Sequence, residues 1–186
     1  MGKIDSITEL KNPSFIKPIQ INYTLKQEKK IWEAVISHDS VSTLLWHKEK
    51  NAFLVVKQFR PAVFHTTQKD GYTYELCAGI IDKNASDIQI AKEEILEECG
   101  FDVPVQNLEK VSTFYPSVGI TGAYQTLYYA EINESMKLNE GGGLDDEDIE
   151  LVFIPLKEAK EFMFDDSFCK TPGMMMAFYW FFENKI

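Results

Sequence analysis

The chain has 186 residues, of which 45% are hydrophobic, and this length and composition fit one compact catalytic unit with at most a small appendage. Acidic residues outnumber basic residues by 29 to 19, which gives a formal net charge of −10. A surface with this charge repels nucleic acids and anionic membranes, so extended polyanions are excluded as main partners.

The N-terminal third of the chain is expected to be rich in strands. Residues 1–18 are polar and contain Pro13 and Pro18, which is typical of an extended arm. Alternating or β-branched apolar residues predict strands over 19–25, 31–37, 40–46 and 52–59. The charged turn over 47–51 indicates a β-hairpin between the last two. A polar loop over 65–71 is predicted next, followed by a strand over 72–77 and a bend at Gly79.

The most regular helix is predicted over 86–99, where Ile88, Ala91, Ile95 and Cys99 recur at helical spacing. Ser86 with Gln89 forms a capping-box pattern at its start, and Gly100 supplies a stop. Further strands are predicted over 108–115, 124–132 and 149–154, with a glycine-rich acidic loop over 141–148. Helices over 156–164 and 172–184 close the chain. This mixture predicts an α/β or α+β sandwich.

The three cysteines, Cys77, Cys99 and Cys169, form no CxxC pair, so neither a zinc site nor a disulfide framework is expected. A reducing, cytoplasmic location is the simplest expectation. The N-terminus has no apolar run typical of a secretory signal, and the apolar stretch 174–182 is too short to cross a bilayer. Residues 1–6 match a permissive myristoylation pattern, a match that we attribute to chance.

Three carboxylates share one edge of the predicted helix, because Glu94, Glu97 and Glu98 are three and four residues apart. Like charges at this spacing, near the C-terminal end of a helix, are unfavourable. A bound divalent cation would reverse both effects. Oxygen ligands without histidine or cysteine favour Mg²⁺, with Mn²⁺ as a substitute. From the helix alone, a solvated acidic face is the simpler interpretation.

The surrounding sequence favours metal binding instead. Residues 79–101 read GIIDKNASDIQIAKEEILEECGF and resemble the Nudix box, in which a glycine and a glutamate precede R-E-U-x-E-E-x-G-U, with U a bulky apolar residue. The residues in register are Gly79, Glu94, Ile95, Glu97, Glu98, Gly100 and Phe101. The resemblance implies an α/β fold, a Nudix-type α/β/α sandwich with a mixed β-sheet and an N-terminal β-rich arm.

Two positions depart from this pattern. Ala85 stands where the family has glutamate, and Glu93 stands where it has arginine. In the family that arginine holds a catalytic carboxylate, so an acid at this position removes a contact and adds repulsion. Glu93 could join the metal site, since it lies four residues before Glu97, and Lys92 could replace part of the missing positive charge.

The resemblance continues over most of the chain to the UDP-sugar and ADP-ribose pyrophosphatase branches of the family, most of all to the UDP-glucose pyrophosphatases. The segments that carry it are VVKQFRPA at 55–62, ELCAG at 75–79, SVGITG at 117–122, QT at 125–126, GGG at 141–143 and KTPG at 170–173. It implies Mg²⁺-dependent hydrolysis of UDP-glucose to UMP and glucose 1-phosphate. ADP-ribose pyrophosphatase activity is the alternative, favoured by Pro116. A weakly active protein that binds or senses nucleotide-sugars is the alternative from another class, motivated by Ala85 and Glu93.

The same resemblance assigns the metal and catalytic residues. It implies that the metal is bound by the backbone carbonyl of Ala78 and by Glu94, Glu97 and Glu98. It also implies that Glu97, Glu98 and Glu147 are the catalytic candidates. Asp145 could share the task of Glu147, and the glycines before them permit loop closure over a ligand.

Four residues are candidates for substrate binding: Arg60, Glu75, Gly119 and Thr121. The Arg60 guanidinium can match phosphate oxygens with a fork of donors. Glu75 could contact substrate or metal, or equally pair with a nearby cation. Base stacking is open to Phe114, Tyr115 and Tyr124, although aromatic residues at strand ends are more often core.

The domain organisation expected from the resemblance has two parts. Residues 1–38 would form an N-terminal arm and strands that make a homodimer, because in these branches the arm usually crosses to a partner subunit. Residues 39–186 would form the Nudix hydrolase domain.

Overall fold

A computed structural model of the chain describes residues 2–144 and 148–186. Two short 3₁₀ turns, Val105–Asn107 and Glu134–Met136, accompany the main elements. The main elements, in chain order, are β1 (Lys17–Leu25), β2 (Glu28–Ile36), β3 (Ser40–His47), β4 (Ala52–Phe59), α1 (Pro61–Thr67), β5 (Tyr72–Glu75), β6 (Cys77–Ile80), α2 (Asp87–Cys99), β7 (Glu109–Phe114), β8 (Gln125–Ile132), β9 (Ile149–Pro155), α3 (Leu156–Phe164), β10 (Cys169–Lys170) and α4 (Pro172–Asn184).

The main sheet is mixed and divides near its middle. β3 and β4 pair only over residues 45–47 and 52–54. Beyond that point one segment fills the gap between them, because β5 pairs with the end of β4 and β6 pairs with the start of β3. β8 runs parallel to β3 on the other side, and β9 runs antiparallel to β4. Residues 75–78 are therefore the place where the chain leaves β4 and begins to pair with β3. This place, where the sheet divides, is called the fork below.

Helices cover both faces of this sheet. Successive residues of a strand point to opposite faces, so Val41 and Leu45 join one apolar cluster while Leu44 joins the other. α2 packs on the first cluster, whereas α3 and α4 pack on the second. Burial of each large apolar side chain stabilises the fold by about 1.5 to 3 kcal/mol. The predicted α/β/α sandwich with a mixed sheet is confirmed.

β1 and β2 form a separate antiparallel sheet, called the ribbon below. One face of the ribbon carries four large apolar side chains, Ile21, Trp32, Tyr23 and Leu25, beside the ion pair of Lys30 with Glu28. These four side chains are 37 to 51% exposed. The ribbon contacts the main body at the loop over 115–124, where Val35 N–H donates to the Ile120 carbonyl at 2.8 Å.

Several predicted elements are confirmed and some details are wrong. The structure has α2, α3 and α4 where helices were expected, and Gly100 ends α2 with a left-handed φ of 79°. The loop predicted over 65–71 is wrong in its first part, because α1 continues to Thr67. Ser86 precedes α2, yet its side chain makes no capping hydrogen bond; its carbonyl accepts from Gln89 and Ile90 instead.

The strand predicted over 72–77 is two strands, β5 and β6, separated at Leu76. The break follows from the divided sheet, because the segment leaves β4 and joins β3 at this residue. Among the described helices, none has the length and hydrophobicity needed to cross a membrane.

Candidate active site

The first feature of the site is the close approach of α2 to β6. A Cβ atom on Gly79 would lie 2.0 Å from Glu94 Oε1 and 2.1 Å from its Cδ. Distances this short are not tolerated between non-bonded atoms, so Glu94 can lie over the strand only because residue 79 is glycine. The glycine and the helix glutamate of the motif therefore form one structural unit.

Glu98 ties the end of α2 to the fork. Its Oε2 accepts a hydrogen bond from Ala78 N–H at 2.9 Å, and the residue is only 5% exposed. Burying a carboxylate is costly unless hydrogen bonds or cations compensate it. The buried carboxylate of Glu98 therefore lies where the sheet divides. The resemblance implies a metal at the same place.

The glycine-rich loop docks on the C-terminal end of α2. Gly142 N–H donates to the Glu98 carbonyl at 2.8 Å, and Gly143 N–H donates to the Glu97 carbonyl at 3.2 Å. These bonds satisfy carbonyls that a helix end leaves without intrahelical partners. Gly141 has a φ of 66°, and a Cβ there would lie 2.3 Å from the Glu98 carbonyl oxygen. The predicted catalytic candidates Asp145 and Glu147 lie outside the described residues.

The donor set at this place suits Mg²⁺ in its chemistry. Glu94, Glu97 and Glu98 come from one helix, and the Ala78 backbone lies against Glu98. All of these donors are oxygens, which Mg²⁺ prefers. Among the described residues, no three acidic, histidine or cysteine side chains converge closely enough to enclose an ion.

Glu93 contacts the loop that precedes α2. Its Oε2 lies 2.5 Å from Lys83 Nζ, and its Oε1 accepts from the Gln89 amide at 3.1 Å. Contact with Lys83, and then with Gln89, holds the pKa of Glu93 below its ordinary value. Glu93 itself, and more weakly Glu97 and Glu94, raise the pKa of Lys83.

The motif has a positive charge at the position of Glu93. Here the positive charge comes instead from Lys83, which lies in the loop before α2. The neighbouring cation considered from the sequence, Lys92, does not supply it, because it pairs with Asp102 at 3.0 Å. The sequence signal that could have indicated Lys83 is its place two residues before Ala85, where the motif glutamate is also absent.

Arg60 forms a bidentate ion pair with Glu75, the first residue of the fork. Arg60 Nε donates to Glu75 Oε1 at 2.7 Å, and Nη2 donates to Oε2 at 2.9 Å. Thr73 Oγ1 donates to the same Oε1 at 2.6 Å. Burial alone would raise the pKa of Glu75, but the hydrogen bonds from Arg60 and Thr73 outweigh it and lower that pKa. Of the roles considered for Glu75, pairing with a nearby cation is therefore the one seen in the structure, and that cation is Arg60.

Gly119 and Thr121 lie in the loop that receives the ribbon. The Gly119 carbonyl accepts from Trp32 Nε1 at 3.2 Å, and Thr121 Oγ1 accepts from Ala123 N–H at 3.1 Å. Of the aromatic candidates for base stacking, Phe114 packs against the cluster under α4, whereas Tyr115 is 57% exposed.

A cavity of about 300 Å³ opens next to the fork. Glu75, Ala78 and the start of α4 are among the residues that line it. Its other polar residues are Ser42, Ser117, Gln125 and Thr171. Ser117, Gln125 and Thr171 lie in segments that carry the family resemblance, whereas sequence reasoning missed Ser42, because it has no charge and belongs to no such segment. The only signal for Ser42 was its position, a serine within an apolar strand.

Comparison with known proteins gives relatives over nearly the whole chain. No family model matches. The chain is 32% identical to the uridine diphosphate glucose pyrophosphatase of Bos taurus, over 91% of this chain and 89% of that protein. It is 30% identical to the protein of the same name from Mus musculus, over 92% and 90%. It is 37% identical to the GDP-mannose pyrophosphatase of Cronobacter sakazakii, over 66% and 63%.

Proposed function

We propose that this chain, which belongs to the Nudix hydrolase family, is a pyrophosphatase that cleaves nucleoside diphosphate-sugars between the two phosphates. The relatives named above are pyrophosphatases of this kind. The observation that carries the proposal is the attachment of the α2 carboxylates to the fork. Glu94 lies over Gly79, and Glu98 accepts from Ala78 N–H.

UDP-glucose is the proposed substrate, with UMP and glucose 1-phosphate as products. Its support is that the two relatives aligned over about nine-tenths of this chain carry uridine diphosphate glucose in their names. GDP-mannose is the second candidate, because a relative with that name is 37% identical over a shorter part of the chain. ADP-ribose remains a third substrate to test, on the basis of Pro116.

Mg²⁺ is the proposed cofactor, with Mn²⁺ as a substitute. Glu94, Glu97, Glu98 and the Ala78 carbonyl would hold it, and their oxygen chemistry supports this choice. When bound, such an ion neutralises charge on the diphosphate and lowers the pKa of a coordinated water.

The residues of the chain would then perform three tasks. In hydrolysis, a water oxygen bonds to one phosphorus while the bridging oxygen departs with the other phosphate, so one carboxylate must accept a proton from the water. Glu97, Glu98 and Glu147 are the candidates for this base. Of Glu97 and Glu98, Glu98 is the more deeply buried, which suits it to a fixed role as a metal ligand. Glu97 is more accessible to water, which suits it to the role of the base.

Phosphate positioning is proposed for Arg60. Its planar guanidinium has five N–H donors in a fixed geometry. The two hydrogen bonds to Glu75 orient this guanidinium at the edge of the site. Glu75 is then a positioning residue for Arg60. Gly119 and Thr121 are proposed to contact the substrate from the loop on which the ribbon docks.

A homodimer is proposed through residues 1–38, with residues 39–186 as the hydrolase domain. A two-stranded sheet is marginal by itself in water, and the ribbon carries an exposed apolar face. A second copy of the chain would cover that face. A cytoplasmic location is also proposed, in keeping with the free thiols of Cys77, Cys99 and Cys169.

The proposal is tested by incubating the pure protein and Mg²⁺ with UDP-glucose, GDP-mannose and ADP-ribose in turn. Ion-exchange chromatography then separates the nucleoside monophosphate from the substrate. UMP and glucose 1-phosphate in equal amounts are expected from UDP-glucose. Tight binding of UDP-glucose without release of UMP would instead favour a sensing protein.

A further inference from the structure

The cavity beside the fork carries a polar group that the proposed mechanism does not use. Ser42 lies on β3 and is only 2% exposed. Within the described residues its Oγ has no hydrogen-bond partner. A buried hydroxyl without a partner is unfavourable, and each such group in a native structure requires an explanation.

Strand alternation places Ser42 on the α4 side of the sheet. Leu44 and Trp46, two and four residues further along β3, both pack with the cluster under α4. Ser42 also lines the cavity, together with the first turn of α4. The hydroxyl thus belongs to the cavity wall, where a bound molecule would satisfy it.

Gln125 supplies a second polar group at the same wall. Its Nε2 donates to Ser40 Oγ at 3.2 Å, which fixes the orientation of the amide. A Cβ on Gly173 would lie 3.1 Å from Gln125 Oε1, so the glycine permits α4 to approach the amide closely.

The chemistry of the wall distinguishes the two ends of a nucleoside diphosphate-sugar. Nucleobases are usually held by stacking on aromatic rings, and none of the described residues that line the cavity is aromatic. Hydroxyl and amide groups beside apolar surface suit a neutral ring that carries hydroxyl groups. The apolar surface comes from Leu76, Pro116 and Met174.

We propose that this cavity binds the glycosyl group of the substrate, with Ser42 Oγ as the hydrogen-bond partner of a sugar hydroxyl and Gln125 beside it. The inference rests on the proposed function and specifies which end of the substrate enters the fork. The diphosphate then lies across Ala78 and the α2 carboxylates, and the nucleoside lies outside the cavity. Ser42 and Gln125 become determinants of which sugar is accepted.

The test compares UDP-glucose with the methyl ester of UDP, which keeps the nucleoside and diphosphate but lacks the sugar ring. Calorimetry with Ca²⁺ in place of Mg²⁺ measures the dissociation constant of each ligand for the wild-type protein and for Ser42→Ala. The same proteins are assayed for hydrolysis with Mg²⁺. Ser135→Ala, at an exposed serine, is the matched control, and thermal unfolding verifies that every variant is folded.

Loss of one neutral hydrogen bond is expected to weaken UDP-glucose binding by about two- to tenfold in Ser42→Ala. Binding of the methyl ester is expected to be unchanged, as is binding of both ligands to Ser135→Ala. Equal weakening of the two ligands, or weakening of neither, would overturn the inference. Equal affinity of the wild-type protein for both ligands would also overturn it. Glycosyl-dependent binding without hydrolysis of UDP-glucose would contradict the proposed function and leave the cavity assignment supported.

Discussion

Lys83 Nζ lies 2.5 Å from Glu93 Oε2, so an ion pair joins the loop before α2 to the helix that carries the metal-site carboxylates. Relative to the Nudix motif, the helix carries the negative partner and the loop carries the positive one. The helix residue is Glu93 where the motif has arginine, and the positive charge comes from Lys83 of the loop.

This ion pair predicts that restoring the motif arginine alone is harmful. Glu93→Arg would place a guanidinium beside Lys83, and repulsion would displace the loop. Initial rates of UDP-glucose hydrolysis should fall in Glu93→Arg and recover in the double variant Lys83→Glu with Glu93→Arg. A higher rate in the single variant than in the wild-type protein would show that the pair has no positioning role.

The close approach of Gly79 to Glu94 predicts an effect on activity that exceeds the effect on stability. In Gly79→Ala the new methyl group occupies the place of the Glu94 carboxylate, and this flexible side chain must move away. The Mg²⁺ concentration needed for half-maximal rate should rise, while the free energy of unfolding changes little.

Gly122→Ala is the matched control for this substitution, because a Cβ at Gly122 has no atom within 4 Å. It should leave the Mg²⁺ dependence unchanged. Equal effects of the two substitutions would contradict the assigned contact between Gly79 and Glu94.

The ion pair of Glu75 with Arg60 predicts a pH-dependent contribution to stability. Since the pKa of Glu75 is lowered in the folded protein, the unfolded chain takes up this proton first as the pH falls. The stabilisation is present above the unfolded pKa, about 4.3, and is lost as the pH falls through the lower folded value.

Urea unfolding of the wild-type protein and Glu75→Gln tests this contribution. At pH 7 the variant should be less stable by about 1 kcal/mol, because Arg60 is about half exposed and solvent screens the pair. The difference should shrink as the pH falls below the unfolded pKa of about 4.3. A difference that is constant with pH would exclude Glu75 as the source.

The apolar face of the ribbon predicts a dimer that one charge can disrupt. Ile21→Lys places an ammonium on the apolar face, whereas Asn22→Lys places it on the opposite face of the same strand. Light scattering after size-exclusion chromatography should give a dimer for the wild-type protein and Asn22→Lys, and a monomer for Ile21→Lys. A wild-type monomer would refute the proposed assembly.

The parts of the fold with a regular apolar pattern could be predicted from the sequence. α2 was predicted correctly because Ala91, Ile95 and Cys99 are all buried at helical spacing. α1 was missed because it is short and has no buried residue, so its sequence carries no periodic signal. The break at Leu76 was missed because it depends on which strands lie on either side, which the local sequence does not encode.

The site was predictable where charge identifies a function. Glu94 and Glu98 stand in a spaced motif, and the resemblance grouped them with Ala78, which contacts Glu98 in the structure. The partner of Glu93 did not follow from the pattern, because the contact with Lys83 spans ten residues and replaces a motif position by an ordinary surface lysine. Ser42 could not be identified from the sequence for a different reason. Only the tertiary packing shows that its hydroxyl is buried in a cavity wall.

The carboxylates of α2 are proposed to support metal-dependent hydrolysis, and the most direct test is the turnover number for UDP-glucose with saturating Mg²⁺. Glu97→Gln and Glu98→Gln remove a negative charge at nearly constant volume, and Glu158→Gln does the same at an exposed position on α3. The turnover number should fall by at least about a hundredfold in Glu97→Gln and Glu98→Gln and stay at the wild-type value in Glu158→Gln. Wild-type turnover in both Glu97→Gln and Glu98→Gln would contradict the account.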